Sequence, residues 1–375
     1  MDFVIFALSL AIVLASAELF TNGVEWLGKN WRLSEGAVGS LLAAVGTALP
    51  ETMIPVIAIL LRPGEAAEEI GEGAILGAPF MLSTLALFVT GLTAVLTPYC
   101  GRFRDRMLIT PQVIERDLAF FLASYVLALG AAFLGPGWAR QAVAALLVAG
   151  YGVYACQTVR SGKSLEAEDP APLYLGRARS RPHTALVLLQ VALALGGIVG
   201  GARLFVSAVE RLSLRLGVPA FVLSLIIAPA ATELPEKFNS VIWVRKGKDT
   251  LALGNITGAM VFQSSLLPAL GILLTPWRLK GLGLLSAGLA LASAAAALGA
   301  LRITRRLSPA QLLLGGLLYG LFVAHIFAEA RAAPWAYALL ALYLPLHLWA
   351  LRRRGRPSRH PAEGGGGPGG GPARQ

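Results

Sequence analysis

The chain has 375 residues, 56% of them hydrophobic and only 14% charged, with a formal net charge of +11. A soluble domain carries about 25% charged residues, so this composition excludes an ordinary soluble globule and points to a polytopic membrane protein. The basic excess is not a nucleic-acid signature, because the lysines and arginines fall between apolar runs.

The first apolar span covers residues 3–27. Its Ala15-Ser16-Ala17 resembles a signal-peptide cleavage site, but Asp2 stands where a basic segment should precede the apolar run, so the segment reads as a retained helix. Span two covers 35–61 and contains Gly46-Thr47-Ala48-Leu49-Pro50-Glu51, where an interruption is expected. A loop with Glu65, Glu68, Glu69 and Glu72 leads to span three, 73–97. Span four is 117–134, followed by the turn Gly135-Pro136-Gly137 and span five, 138–157. A polar, Pro-broken linker, 158–182, divides the chain.

Spans six, seven and eight cover 184–211, 218–244 and 250–275. Spans nine and ten cover 280–301 and 309–328. An eleventh span, 333–351, has no partner in the first half, and the tail 352–375 is basic and Gly-rich and expected to be disordered.

Span seven carries Ala228-Pro229-Ala230-Ala231-Thr232-Glu233-Leu234-Pro235-Glu236. A charge near a bilayer centre costs about 2.5–3.5 kcal/mol on insertion scales, so these glutamates are not there for stability. Each proline removes a helical hydrogen bond. Carbonyls freed at Leu225 and Ala231, beside carboxylates, are expected to offer hard oxygen ligands to a cation.

The same device thus occurs twice, 185 residues apart. At that offset 17–51 aligns with 202–236 without a gap, and 11 of the 35 positions are identical, among them Thr47, Leu49, Pro50 and Glu51. Five spans per copy is an odd number, so the second copy is expected to be inverted. The fold expected is an all-α polytopic membrane protein of two inverted-topology five-helix repeats, 3–157 and 184–328, plus one C-terminal helix. Transporters with this architecture place the ion site at the repeat interface near the midplane. With the N-terminus outside, 23 of the 32 Lys and Arg residues fall in cytoplasmic segments and 7 in outer ones. That bias predicts a cytoplasmic C-terminus and an integral protein of a bacterial-type inner membrane. Cys100 and Cys156 lie near cytoplasmic ends, where thiols stay reduced. The histidines 183, 325, 347 and 360 show no metal-ligand spacing.

Thr-x-Leu-Pro-Glu in duplicate, each followed by a Gly-x-x-x-Gly opening of the next span (Gly73/Gly77 and Gly254/Gly258), resembles the cation/Ca2+ exchanger superfamily. The resemblance implies that spans two, three, seven and eight surround the ions and that spans one and six slide across them. It implies that Glu51 and Glu236 hold Ca2+ and that Thr47 and Thr232 add oxygen ligands. It implies Na+ as the counter-ion. The pattern departs from the family at Ala48 and Glu233, where Ser is usual. It departs again at Ala78 and Ala259, and at Leu82 and Gln263, which replace further oxygen-bearing side chains.

Glu233 has two readings: a pair with Lys237, one helical turn on, or an added ligand or proton carrier. Gln263 either lends its carbonyl oxygen to the site or makes an interhelical hydrogen bond. Three carboxylates, Glu51, Glu233 and Glu236, leave H+ as an alternative counter-ion. The reading is therefore a Ca2+ antiporter, not an enzyme, with no cofactor beyond the transported ions Ca2+ and Na+ or H+, and with the lipid bilayer as its partner. A transport-inactive scaffold or sensor is the alternative from another class. An intramembrane glutamate protease is disfavoured, since no His stands near the glutamates in sequence.

Overall fold

The computed structural model describes residues 1–30, 43–61, 64–98, 104–135, 137–161, 171–176, 182–279 and 281–327. Side chains are described throughout these except at 43–50, 159, 161, 231, 234–238 and 327. The eleventh span and the tail lie outside the described residues.

Among the described residues ten helices follow in order: α1 (Asp2–Asn30), α2 (Ala43–Leu61), α3 (Glu65–Leu96), α4 (Pro111–Ala131), α5 (Gly137–Ser161), α6 (Thr184–Leu216), α7 (Ala220–Arg245), α8 (Asp249–Leu274), α9 (Leu282–Thr304) and α10 (Pro309–Phe327). They correspond one to one with the first ten expected spans. Seven are long and apolar enough to cross a membrane; α2 and α7 contribute the shorter apolar segments Glu51–Leu61 and Ala220–Ala230.

Three expectations are corrected. The acidic loop before span three is helical, because Glu65 and Glu68 occupy the first turn of α3, where carboxylates oppose the helix dipole. Helix α4 starts earlier than hydropathy suggests, at Pro111, a residue preorganised for a first helical position. Arg116, just before the expected span, pairs with Asp117 at the span's start at 2.9 Å. Finally, α2 and α7 run through Pro50, Pro229 and Pro235 as continuous helices rather than breaking there. A membrane helix tolerates proline where neighbouring elements take up the freed groups.

The packing is symmetric under exchange of the halves. Helix α4 packs on α8 as α9 packs on α3, and α5 packs on α8 as α10 packs on α3. Helices α1 and α6 form their own extensive pair and meet the centre mainly through α2. The centre is therefore α2, α3, α7 and α8.

Its tightest crossing is α3 against α7. A Cβ on Gly73 would lie 2.5 Å from the Phe221 carbonyl oxygen, and one on Gly77 only 2.1 Å from that of Leu225. The carbonyl that Pro229 releases thus abuts the Gly77 backbone, a Cα–H···O type of approach, and Leu225 does not line the cavity described below. The expectation of a free Leu225 ligand gives way to a packing role. In the second repeat, a Cβ on Gly254 would meet no described atom within 4 Å, and one on Gly258 only the Tyr154 hydroxyl at 3.5 Å.

Helix α3 also carries a π-helical turn at Leu82–Ala86, just beyond Pro79. The backbone groups it exposes are taken up by neighbours. The Ser293 hydroxyl donates to the Ser83 carbonyl, and Gly315 of α10 packs on the Thr84 carbonyl. At one end of the bundle, Arg104 in the α3–α4 connection bridges Asp249 at 2.9 Å with side-chain exposures of 7% and 0%. The Leu108 amide also donates to Asp249, and Arg104 donates to the Val244 carbonyl. This ties the connection to the α7–α8 turn.

Candidate cation site

Glu51 sits on the apolar half of α2 and is 6% exposed, with both carboxylate oxygens buried. It faces a cavity of about 10 Å3 lined by Ile54 of α2, Ala74 and Ala78 of α3, and Ala228, Pro229 and Thr232 of α7. About that volume suffices for one water-sized sphere. The cavity lies where α2 and α3 of the first half meet α7 of the second.

Thr232 is 2% exposed and donates its hydroxyl proton to the Ala228 carbonyl at 3.1 Å. That back-bond is a common way for a helical threonine to satisfy its donor. Its lone pairs remain suited to a cation. Among the described side chains, the cavity thus sees one carboxylate and one hydroxyl, contributed by opposite halves, against walls of alanine, isoleucine and proline.

One helical position on from Thr232, Glu233 points elsewhere. It accepts a hydrogen bond from the Gln263 amide of α8, and the two residues are 1% and 2% exposed. The Gln263 carbonyl oxygen has no hydrogen-bond partner among the described residues. Of the two sequence readings for Gln263, the interhelical hydrogen bond is therefore present, while its oxygen stays available. The Lys237 side chain, the other candidate partner of Glu233, lies outside the described side chains, as do those of Thr47 and Glu236. The structure therefore brings Glu51 and Thr232 to one cavity and Glu233 and Gln263 to one contact; Thr47 and Glu236 lie on the helices α2 and α7 expected for them.

Sequence reasoning missed Ala74 and Ala228 as cavity walls, since an alanine in an apolar span carries no signal. It also missed Asp117. This carboxylate, 2% exposed, accepts from Thr257 of α8 at 2.8 Å and from Arg116, and so anchors α8. A lone aspartate at the edge of an apolar run was the available clue. A larger cavity of about 460 Å3 opens at the starts of α3 and α7, with Glu65, Glu68, Glu69 and Glu72 on one wall and Arg278 opposite.

A helical membrane bundle with a small polar-lined cavity between two similarly packed halves fits the architecture of repeat-built membrane transporters. A family model described as sodium/calcium exchanger protein matches residues 1–159 and 186–328, and the chain belongs to that family. It is 29% identical over 271 residues to CaxA of Alkalimonas amylolytica, covering 71% of this chain and 79% of that protein. It is 24% identical over 270 residues to the inner membrane protein YrbG of Escherichia coli, covering 71% and 78%. Among solved structures, an H+/Ca2+ exchanger CAX superposes with a TM-score of 0.69 at 17% identity, covering 94% of this chain and 89% of that one. The sodium-calcium exchanger NCX_Mj superposes at 0.52 and 20% identity, covering 88% and 98%. These two share the fold with this chain.

Proposed function

We propose that the protein is a secondary active antiporter that exchanges Ca2+, or a related divalent cation, for Na+ across the cell membrane by alternating access. The observation that carries this reading is the cavity between the halves, with Glu51 on one side and Thr232 on the other. Ca2+ takes 6–8 oxygen ligands, and affinity follows the number of charged ones. Glu51 and Glu236 supply the charge; Thr47 and Thr232 supply neutral oxygens.

H+ as counter-ion is the second reading, and a specific observation favours it. Ala74, Ala78 and Ala228 line the cavity and bring no side-chain oxygen for additional Na+ ions. The test is Ca2+ uptake into proteoliposomes under an imposed Na+ gradient or an imposed pH gradient, each without the other. Uptake driven by Na+ alone supports the first reading, and uptake driven by pH alone replaces it with the second. Uptake driven by neither supports a transport-inactive scaffold.

We further propose the orientation read from the charge bias, with the N-terminus outside.

A further inference from the structure

Helices α1 and α6 are joined more firmly to each other than to the four-helix centre, and the joint runs through the central linker. Gln190 of α6 donates its amide to the Leu19 carbonyl at 2.8 Å and to Asn22 Oδ1 at 3.0 Å, both on α1. Its own Oε1 accepts from the Leu175 amide of the linker at 3.0 Å. Asn22 in turn donates to the Ala171 carbonyl at 3.0 Å and accepts from the Tyr174 amide. Trp26 adds a second donor to the Ala171 carbonyl at 2.8 Å, and the Tyr174 hydroxyl donates to Glu18.

Asn22 and Gln190 are 4% and 1% exposed, and both oxygens and both amide groups of the pair are engaged. A buried polar network satisfied in this way rigidifies the elements it joins. Leu173 of the linker completes the joint by packing with Trp26 and Val187. Below it, the two helices touch through small residues. A Cβ on Gly23 would lie 2.8 Å from Val191 Cγ2, and one on Gly197 would lie 2.2 Å from the Ser16 hydroxyl.

The opposite end of the pair is held differently. There Asp2 meets Arg211 and Arg215 at 3.2 and 3.3 Å, with arginine side chains 44% and 60% exposed. Exposed ion pairs of this kind contribute little to stability. The repeat does not supply a second copy of the buried joint: Ser207 stands at the position equivalent to Asn22. Among the described residues, the buried hydrogen-bonded fastening is therefore at the linker end, while apolar packing such as Phe6 against Phe205 serves the other end.

We propose that Asn22 and Gln190, together with linker residues 171–176, are positioning residues that fasten α1 to α6, so that the pair and the linker shift over the centre as one element. The proposal rests on the alternating-access reading. It assigns the linker a mechanical part in transport that a mere tether between repeats lacks.

The experiment uses the full chain in proteoliposomes, with Cys100 and Cys156 replaced by serine. Asn22→Ala/Gln190→Ala is expected to lower the exchange rate about tenfold with the KM for Ca2+ unchanged, the signature of a lost step that is not ion binding. Gly23→Cys and Val191→Cys are within disulfide reach. In the Asn22→Ala/Gln190→Ala background, oxidising that pair is expected to restore the rate, and reduction to remove it again. In the otherwise native chain the same disulfide leaves exchange unchanged. A disulfide from α1 to the centre, through Phe20→Cys and Met53→Cys, is expected to stop exchange, since Met53 packs on the cluster around Phe20.

A native rate in the double alanine variant overturns the proposal, and so does failure of the Gly23–Val191 disulfide to restore it. Loss of exchange on oxidising that pair in the native chain also overturns it. This last arm decides the matter alone if the alanine variant does not fold. A native chain that moves no Ca2+ under any gradient overturns the antiporter reading and this inference with it.

Discussion

Gln263 donates its side-chain amide to the carboxylate of Glu233, joining α8 to α7 inside the protein core. The equivalent positions in the first repeat are Leu82 and Ala48, so the pair exists in one half only. Removing one partner of a buried charged hydrogen bond costs more than replacing the charge by a neutral isostere. Gln263→Leu is therefore expected to destabilise the protein by about 1–3 kcal/mol, because the buried Glu233 loses the amide donor that Gln263 supplies. Glu233→Gln, which keeps the volume and a hydrogen-bonding group, is expected to cost less. Thermal melting followed by size-exclusion chromatography in detergent ranks the two, and the opposite order contradicts the contact.

Glu51→Gln and Glu236→Gln are each expected to abolish divalent-cation transport while leaving expression and melting temperature near native. Gln preserves the volume of the side chain and removes one anionic ligand, and a Ca2+ site loses affinity chiefly through lost ligand charge. Flux measurements on the purified variants check this. Wild-type transport by either variant disproves its assignment as a ligand.

Gly77→Ala tests the α3–α7 crossing. The added Cβ would fall 2.1 Å from the Leu225 carbonyl oxygen and 2.8 Å from the Pro229 ring. Both belong to the partner backbone or a rigid ring, so neither can give way cheaply. Overpacking of this kind costs about 1–3 kcal/mol or more. Gly288→Ala, where a Cβ meets no described atom within 4 Å, serves as the control and is expected to be neutral or slightly stabilising. Equal melting temperatures for the two variants refute the close approach.

Much of this fold was legible because bilayer helices announce themselves by long apolar runs, and because Thr-x-Leu-Pro-Glu recurs with its neighbours in register. Glu51 and Thr232 stood out for the same reason: polar residues in apolar spans are conspicuous. The continuity of α7 through Pro229 was not legible, since proline has the same local chemistry whether a neighbouring helix absorbs its freed carbonyl or not. The early start of α4 was hidden because Gln112, Glu115 and Arg116 interrupt the apolar run, although in three dimensions Arg116 pairs with Asp117. The joint around Gln190 was invisible for a different reason. It pairs residues 15 and 171 positions apart, and no local pattern marks either partner.

The two ion pairs of Arg104 and Arg302 should differ sharply. Asp249 is fully buried and its partner Arg104 is 7% exposed, whereas Arg302 is 57% exposed where it meets Glu115 at 3.0 Å. Breaking a buried pair leaves an uncompensated charge and costs about 3–5 kcal/mol, whereas an exposed pair is worth about 0–1 kcal/mol. Arg104→Ala is expected to reduce the yield of folded protein strongly, and Arg302→Ala hardly at all. Comparable yields would show that the Arg104 contact carries no special weight.

The orientation can be tested from both faces of the membrane with the same two helices. Leu175 lies in the linker at 45% exposure, and Leu214 lies at the other end of α6 at 86% exposure. Helix α6 runs from Thr184 to Leu216, about 50 Å at a rise of 1.5 Å per residue, so the two positions emerge on opposite sides of a bilayer whose hydrocarbon core is about 30 Å thick. The charge bias places the linker in the cytoplasm. In a chain with Cys100 and Cys156 replaced by serine, Leu214→Cys is expected to react with a membrane-impermeant maleimide in intact cells. Leu175→Cys is expected to react only after permeabilisation. The reverse pattern inverts the topology without disturbing the fold, and labelling of both in intact cells would mean that α6 does not cross the membrane.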